Sequence, residues 1–394
     1  MDVPVLEDLD LHRGARVLCR VDFNVPVRDG VIEDDLRIRA ALPTVEFLRD
    51  RGAVVVLASH FGRPKGTPDP KYSLAPVAAR LTELLGVPVP LAGAVVGPEV
   101  EGLVASARPG DVVLLENLRF EAGEEANDPG FAADLTVGVD AYVNDAFGAS
   151  HRSHASIVGP PRVVPSAAGR LLAREVEVLG RLLTDAARPF VAILGGSKVS
   201  DKLGVIDALL DRCDTVLVGG AMAFTFFLAQ GQSVGDSLVE PDMVDECRRL
   251  LATGRVQVPT DVVVARDIAE DAETQVVRFD AMPDGWKGLD VGPETAAAYA
   301  AVVGGASTVL WNGPMGVFEV APFAAGTVTV AEAVAGCAGF TVIGGGDSAA
   351  AAAQFGLADR IDHVSTGGGA SLELIEQGDL PGLAALRSAP NARR

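Results

Sequence analysis

Along the chain, short runs of apolar residues alternate with longer stretches in which apolar positions recur every three or four residues. The runs Arg16–Val21, Ala53–Ser59, Val112–Glu116, Ala141–Asn144, Phe190–Leu194, Thr215–Val218, Val262–Ala265, Thr308–Trp311, Thr341–Ile343 and His363–Ser365 read as strands. Each leads into a turn rich in Gly or Asn and then into a segment of helical period. Strands that are apolar on both faces, alternating with amphipathic helices, predict an α/β protein with parallel sheets covered by helices on both sides. In open sheets of this kind ligands gather beyond the carboxyl ends of the strands. The residues just after each strand are therefore where chemistry is sought.

Those strand ends divide the chain in two. In the first half they read V-D-F-N-V-P (21–26), S-H-F-G-R-P (59–64), E-N-L-R-F (116–120) and N-D-A-F-G-A-S-H-R-S-H (144–154), dominated by Arg, His, Asp and Asn. In the second half they read G-G-S-K (195–198), G-G-A-M (219–222), W-N-G-P-M-G (311–316), G-G-G-D-S (344–348) and S-T-G-G-G (365–369), dominated by glycine. Guanidinium and imidazole groups suit a small, strongly anionic molecule. Bare backbone suits a larger, flat ligand with phosphates. Between the halves, Leu171–Leu183 has helical apolar spacing and follows the loop-like P-P-R-V-V-P-S (160–166), so it reads as a helix joining two domains. The expectation is two doubly wound, Rossmann-like parallel-sheet domains, residues 1–165 and 189–370, with 166–188 as the connecting helix and hinge. The Ala run 349–353 reads as packed helix.

A chain of 394 residues exceeds what one core usually covers, which supports two domains at roughly 100–200 residues each. A formal net charge of −20 argues against nucleic acid or a membrane surface as a general partner, since both select positive fields. It leaves room for a small anion in a local basic pocket. Cys19, Cys213, Cys247 and Cys337 are far apart, with no C-x-x-C pair, which suits a reducing cytosol better than a disulfide framework or a zinc site. With no basic-then-apolar order at the N-terminus and no run near ~20 apolar residues, a cytoplasmic protein is expected.

Some of the strand ends carry more specific chemistry. In I-L-G-G-S-K-V-S-D-K-L-G (193–204) the spacing predicts a helix with Lys198 and Lys202 on one face near its start. There the two cations would repel each other and oppose the helix dipole. A phosphate ligand would relieve that repulsion; solvated lysines on a surface helix are the alternative. Neither a Walker A loop nor a G-x-G-x-x-G fingerprint is present. At G-G-G-D-S, amides opening a helix can hold a phosphate and Asp347 a Mg²⁺ bridging it, although a tight turn with a capping residue also fits. In the first half His60, His151 and His154 stand beside Arg63 and Arg152, with Arg37 and Arg119 at the same predicted sheet edge, an anion site with Asp22 and Asn24 orienting the arginines or a ligand hydroxyl. Trp311–Glu319 reads either as an apolar slot for a base, with Glu319 on a ribose hydroxyl, or as a buried turn.

Taken together these blocks closely resemble the phosphoglycerate kinase family. R-V-D-F-N-V-P (20–26), S-H-F-G-R-P, E-N-L-R-F, D-A-F-G-x-x-H-R-x-H (145–154), L-G-G-x-K-V-S-D-K (194–202), W-N-G-P-M-G-V-F-E (311–319), G-G-G-D-S and S-T-G-G-G-A (365–370) match its motifs in order over essentially the whole chain. The one small departure is Ala221, where some relatives have a third glycine. The resemblance implies a cytoplasmic, monomeric glycolytic enzyme that moves a phosphoryl group between 1,3-bisphosphoglycerate and Mg-ADP. It implies a 3-phosphoglycerate site of Asp22, Phe23, Asn24, Arg37, His60, Phe61, Gly62, Arg63, Arg119 and Arg152. It also implies a nucleotide site of Lys198, Lys202, Gly220, Gly288, Leu289, Asn312, Gly313, Met315, Glu319, Gly345, Gly346, Asp347 and Ser348, with Asp347 toward the metal and the C-terminal segment 371–394 returning to the first domain. Arg37 and Lys198 are then expected to neutralise the transferring group after hinge closure. A non-catalytic anion- and nucleotide-binding protein is the alternative; an oxidoreductase is disfavoured by the missing dinucleotide fingerprint.

Overall fold

Strand Arg16–Arg20 lies at the centre of a parallel sheet that, among the described residues, has five strands in the order Val112–Leu114, Val54–Ala58, Arg16–Arg20, Ala141–Asn144, Ser166–Ala168. The structure is a computed structural model and describes residues 2–391. A second parallel sheet of six strands runs Val256–Gln257, Thr215–Val218, Phe190–Leu194, Thr308–Asn312, Phe340–Ile343, His363–Val364. Val54–Ala58 and Phe190–Leu194 are buried at every position, as a parallel strand covered by helices on both faces requires. This is why they appear in the sequence as unbroken apolar runs.

One predicted strand belongs elsewhere. Asp261–Ala265 leaves the parallel sheet and pairs antiparallel with Gln275–Arg278 and Lys287–Val291. Gln275–Arg278 is exposed along most of its length, the behaviour of an antiparallel edge strand, which does not need two apolar faces. Without a sustained apolar run, Q-V-V-R gives no strand signal between its polar neighbours.

In both parallel sheets the chain starts in the middle, moves outward on one side, and returns to the other. The strand order therefore reverses beside Arg16–Arg20 in the first sheet and between Phe190–Leu194 and Thr308–Asn312 in the second. Each reversal leaves a crevice beyond the carboxyl ends of the strands.

The chain packs as two units: one runs up to Gly180 and takes up the chain again from Asp379, and the other is Arg181–Gly378. The division falls within helix Arg170–Thr184. Strand Ser166–Ala168, at the start of the segment 166–188 read as connecting helix and hinge, pairs into the first sheet. Helix Pro381–Arg387 packs on Ala155–Val158 of the first unit, Gly382 N donates to Ser150 O at 2.9 Å, and Asn391 Oδ1 accepts from Ser166 N at 2.7 Å. Residues 392–394 of the C-terminal segment lie outside the described residues. No helix among the described residues is long and apolar enough to cross a membrane.

The first turn of helix Arg170–Thr184 is satisfied from far away in sequence. Arg170 N donates to Thr44 Oγ1 at 2.8 Å, and Leu171 N and Leu172 N donate to Asp145 Oδ1 at 2.9 and 3.2 Å. These are donors that a helix start leaves unpaired. Asp145 is fully buried and its Oδ2 has no hydrogen-bond partner. Burial pushes its carboxyl up to about 7, against the hydrogen bonds from Thr44, Leu172 and Leu171. The folded protein then keeps a proton that an unfolded Asp, with a pKa of about 3.9, releases. Stability must fall as pH rises through that interval, by at most about 4 kcal/mol. Asp145→Asn keeps an acceptor and cannot ionise. Its urea midpoint is expected to change less between pH 5 and 7.5 than that of the parent protein, and parallel pH profiles for the two would contradict the raised pKa.

Candidate functional site

At the crevice of the first sheet the polar residues hold one another. Beyond Arg20 the chain turns so that Asn24 N donates to Asp22 Oδ1 at 3.1 Å, and Phe23 N donates to Ser59 Oγ at 2.8 Å. Asn24 Oδ1 accepts from Gly62 N at 2.9 Å, tying this loop to the one after Val54–Ala58. Arg37, in the first turn of helix Leu36–Asp50, donates through Nη1 to Asn24 O at 2.9 Å and lies 3.5 Å from Asp22 Oδ1. Asn117 fixes Phe61 from both sides, accepting from its N–H at 3.0 Å and donating to its carbonyl at 2.6 Å. Arg119 Nη1 donates to Gly62 O at 2.6 Å. Its Nε is 2.9 Å from Glu125 Oε1, but the N–H is not aligned on that oxygen, so the contact is an ion pair without a hydrogen bond. Arg63 is exposed, whereas Arg152 is half-buried and donates through Nε to His151 Nε2 at 3.3 Å.

The charges here are set by mutual neighbourhood. Burial would raise the Asp22 carboxyl, but His60, Arg37, Arg20 and the Asn24 amide outweigh it and hold it below the usual range. Burial drives His60 well below the ordinary histidine value, Asp22 opposes this, and Arg20, Arg119 and Arg152 reinforce it. His154 is pushed down to about 4 by burial and by Arg20, Arg119, Arg152 and His151. At neutral pH these two histidines are uncharged, so the positive field of the site comes from arginine.

In the second unit a cleft of about 320 Å³ opens at the sheet's reversal. Lys198, Lys202, Asn312, Gly313, Gly345, Gly346, Asp347 and Ser348 all line it. The lysines do not share a helical face, however. The helix begins at Leu203, with Lys202 as its capping residue and Lys198 in the irregular segment before it. The sequence implies an earlier start, but Ser200–Lys202 forms a turn, closed by Lys202 N on Val199 O at 2.9 Å, in which Ser200 gives its N–H (3.1 Å) and hydroxyl (2.5 Å) to Glu240, forty residues away. Lys202 Nζ bonds to Asn312 Oδ1. Burial lowers the Lys202 pKa, and Asp347 and Asp201 partly offset this. Lys198 is exposed.

Two helices point their N-termini at the cleft: Gly346–Gln354, capped by Gly345 at φ +109°, and Gly369–Gln377, capped by Gly368. Unpaired amides and the dipole make such ends suited to phosphate. Ser348 is fully buried and its hydroxyl accepts from Gly313 N at 2.5 Å, so it serves the floor of the cleft. Gly220, Gly288, Leu289, Met315 and Glu319 do not line it. Gly220 N donates to Met315 O at 3.0 Å and Val317 N to Leu289 O at 2.9 Å, which joins the segments around Gly220, Leu289 and Met315 into an adjoining wall. Gly288 N donates to Ser237 Oγ at 2.9 Å, and Glu319 is exposed. Trp311 is fully buried in the apolar core, its Nε1 donating to Gly313 O at 2.8 Å. Asp201, Gly195, Gly196, Gly368 and Gly369 also line the cleft. The strand-end rule marked their segments, but nothing singled out Asp201 among the acidic residues.

The sequence profile of the phosphoglycerate kinase family matches residues 6–378. The phosphoglycerate kinase of Frankia casuarinae is 57% identical over 97% of this chain and 99% of its own length, and that of Moorella thermoacetica 55% identical over 97% and 98%. Among solved structures, phosphoglycerate kinase from Coxiella burnetii superposes with a TM-score of 0.88 at 39% identity, covering 98% of this chain and 99% of that one. With a parallel-sheet crevice of arginines in one unit and a glycine-lined cleft with two lysines in the other, the chain belongs to the phosphoglycerate kinase family.

Proposed function

We infer that the chain transfers a phosphoryl group reversibly from 1,3-bisphosphoglycerate to ADP, giving 3-phosphoglycerate and ATP, in the cytoplasm. What carries this reading is the occurrence of two different anion-binding crevices, each at the reversal point of its own sheet, in a member of this family. We assign 3-phosphoglycerate to the crevice of Asp22, Asn24, Arg37, His60, Arg63, Arg119 and Arg152. The nucleotide phosphates go to Lys198, Lys202 and the amides of Gly345, Gly346 and Asp347, and the base and ribose to the wall formed by Gly220, Gly288, Leu289, Met315 and Glu319.

Phosphoryl transfer asks a protein to align donor and acceptor and to neutralise charge on the equatorial oxygens. Arg37 and Lys198 supply that neutralisation, and no general base is needed because the acceptor oxygen is already anionic. The two ligands meet through closure about the helix that links the units, which also excludes water from an acyl phosphate.

Among the described residues no three His, Cys, Asp or Glu side chains converge on a metal site. The cleft does offer the exposed carboxylate of Asp347 beside its lysines. One carboxylate fits a Mg²⁺ that arrives on nucleotide phosphates better than one caged by protein. Asp347 would hold it, and the ion would supply charge neutralisation between phosphate oxygens. Asp347→Asn is expected to raise the Mg²⁺ concentration needed for half-maximal rate about tenfold; an unchanged Mg²⁺ dependence removes Asp347 from this role.

The activity itself is tested by forming the acyl phosphate from ATP and 3-phosphoglycerate. Turnover should require both substrates. Hydrolysis of ATP at the same rate without 3-phosphoglycerate, or no acyl phosphate at all, would defeat the reading.

A further inference from the structure

Behind His60 runs a chain of buried polar groups that solvent does not reach. Arg20 and Glu124 are both fully buried, and Ser156 nearly so. Glu124 accepts from the Ser156 N–H at 2.9 Å through Oε2 and from its hydroxyl at 2.7 Å through Oε1. The same hydroxyl accepts from Arg20 Nε at 2.9 Å. Arg20 Nη1 donates to Val21 O at 2.5 Å, and its Nη2 lies 3.9 Å from Glu124 Oε1. A guanidinium is a rigid plane. With Nε and Nη1 held, Nη2 has one place to point, and there it meets His60 Nδ1 at 3.2 Å.

Arginine carries donors only, so Nδ1 must accept. The competing neighbour is Asp22 Oδ1, which would favour a hydrogen on Nδ1, but it stands 4.0 Å away, beyond hydrogen-bond reach. The ring of an uncharged histidine carries a single hydrogen, which is left on Nε2. The charged groups facing this ring are Asp22, Arg20, Arg119 and Arg152.

We propose that Arg20, locked by Ser156 and Glu124, is a positioning residue that fixes His60 in the tautomer with its hydrogen on Nε2, so that His60 meets phosphoglycerate as a hydrogen-bond donor. The proposal rests on the assignment of His60 to that substrate's site. The opposite tautomer would turn a lone pair toward the anion. The crevice thus draws charge from arginine and direction from an uncharged histidine.

Long-range ¹H–¹⁵N spectra of the ligand-free protein at pH 7, with His60 assigned by comparison with His60→Gln, read the tautomer directly. The expected spectrum has Nδ1 unprotonated and Nε2 protonated. Arg20→Lys keeps a positive charge but loses the fork, and Ser156→Ala removes only the acceptor of Nε. Both should give a mixture of tautomers, with KM for 3-phosphoglycerate raised about tenfold and kcat within about threefold. Should Arg20→Lys fail to fold, Ser156→Ala decides. A hydrogen on Nδ1 in the parent protein, or an unchanged tautomer in the variants, overturns the proposal. If the His60 signals stay fixed when 3-phosphoglycerate is added, the site assignment falls and the donor role with it, whichever tautomer the ligand-free spectrum shows.

Discussion

Replacing Lys198 by Ala is expected to lower kcat about 10³-fold while changing KM for nucleotide by no more than about threefold. The argument turns on the difference between the two lysines of the cleft. Lys202 is partly buried and bonded to Asn312, so it is committed to one place and to whatever phosphate rests there. Lys198 lines the same cleft, yet it is exposed and forms no ion pair among the described residues. A solvent-exposed cation that no close ion pair fixes contributes little to ground-state binding. It has most to gain when charge spreads over the oxygens of a transferring phosphoryl group, and an interaction realised mainly at that point appears in kcat. Arg37→Ala should resemble it from the other substrate's side. Arg37 is held by Asn24 and Asp22, so its loss also frees an aspartate and should raise KM for 3-phosphoglycerate modestly. Steady-state kinetics in both directions, with separate binding titrations of each ligand, check these outcomes. Near-normal turnover in either variant would remove that residue from the transfer step. Lys202→Ala, by contrast, should act mainly on nucleotide binding.

How far such a site can be read from sequence depends on whether the signal is local. Ala141–Asn144, Phe190–Leu194 and Thr215–Val218 are found where their apolar runs place them, because a buried parallel strand must be apolar on both faces whatever its neighbours do. Ser166–Ala168, just after a proline-rich stretch, gives no strand signal, since a three-residue strand is specified by its partner Ala141–Asn144 more than by its own residues. The segment holding Lys198 was misread for the same reason. V-S-D-K-L-G has the local qualities of a helix start, yet its first residues form a turn whose Ser200 is bound by Glu240 from elsewhere in the chain. Candidate site residues showed themselves as Gly, Arg and His clustered at strand ends. The roles of the residues that arrange them did not: Arg20 and Asp145 stand inside quoted motifs and Glu124 outside them, but only burial at a particular junction gives the three their consequence.

Gly313→Ala is expected to cost about 3 kcal/mol of stability or more and to weaken nucleotide binding at least about tenfold. Gly313 follows strand Thr308–Asn312 at the point where that strand and Phe190–Leu194 part, the reversal of the second sheet. Its φ is +96°, a conformation that side chains strain to adopt. A β-carbon there would lie 2.3 Å from Gly195 O and 2.5 Å from Gly195 C. These are backbone atoms of the neighbouring strand end, and Gly195 N is itself bonded to Asn312 O at 2.9 Å, so neither partner can swing away as a flexible side chain would. The added methyl must prise the two strand ends apart. In doing so it pulls Gly313 N from the Ser348 hydroxyl and Gly313 O from the Trp311 indole, so the floor of the cleft and the start of helix Gly346–Gln354 shift together. Gly346, in the same cleft, is the control: a β-carbon there meets nothing within 4 Å. Gly346→Ala should leave the urea midpoint unchanged or slightly raised, and any effect on nucleotide affinity must then come from the ligand side. Urea titration and calorimetric binding of ADP separate the two variants. Equal stability of Gly313→Ala and Gly346→Ala would show that the contact of strand ends does not hold the cleft in shape.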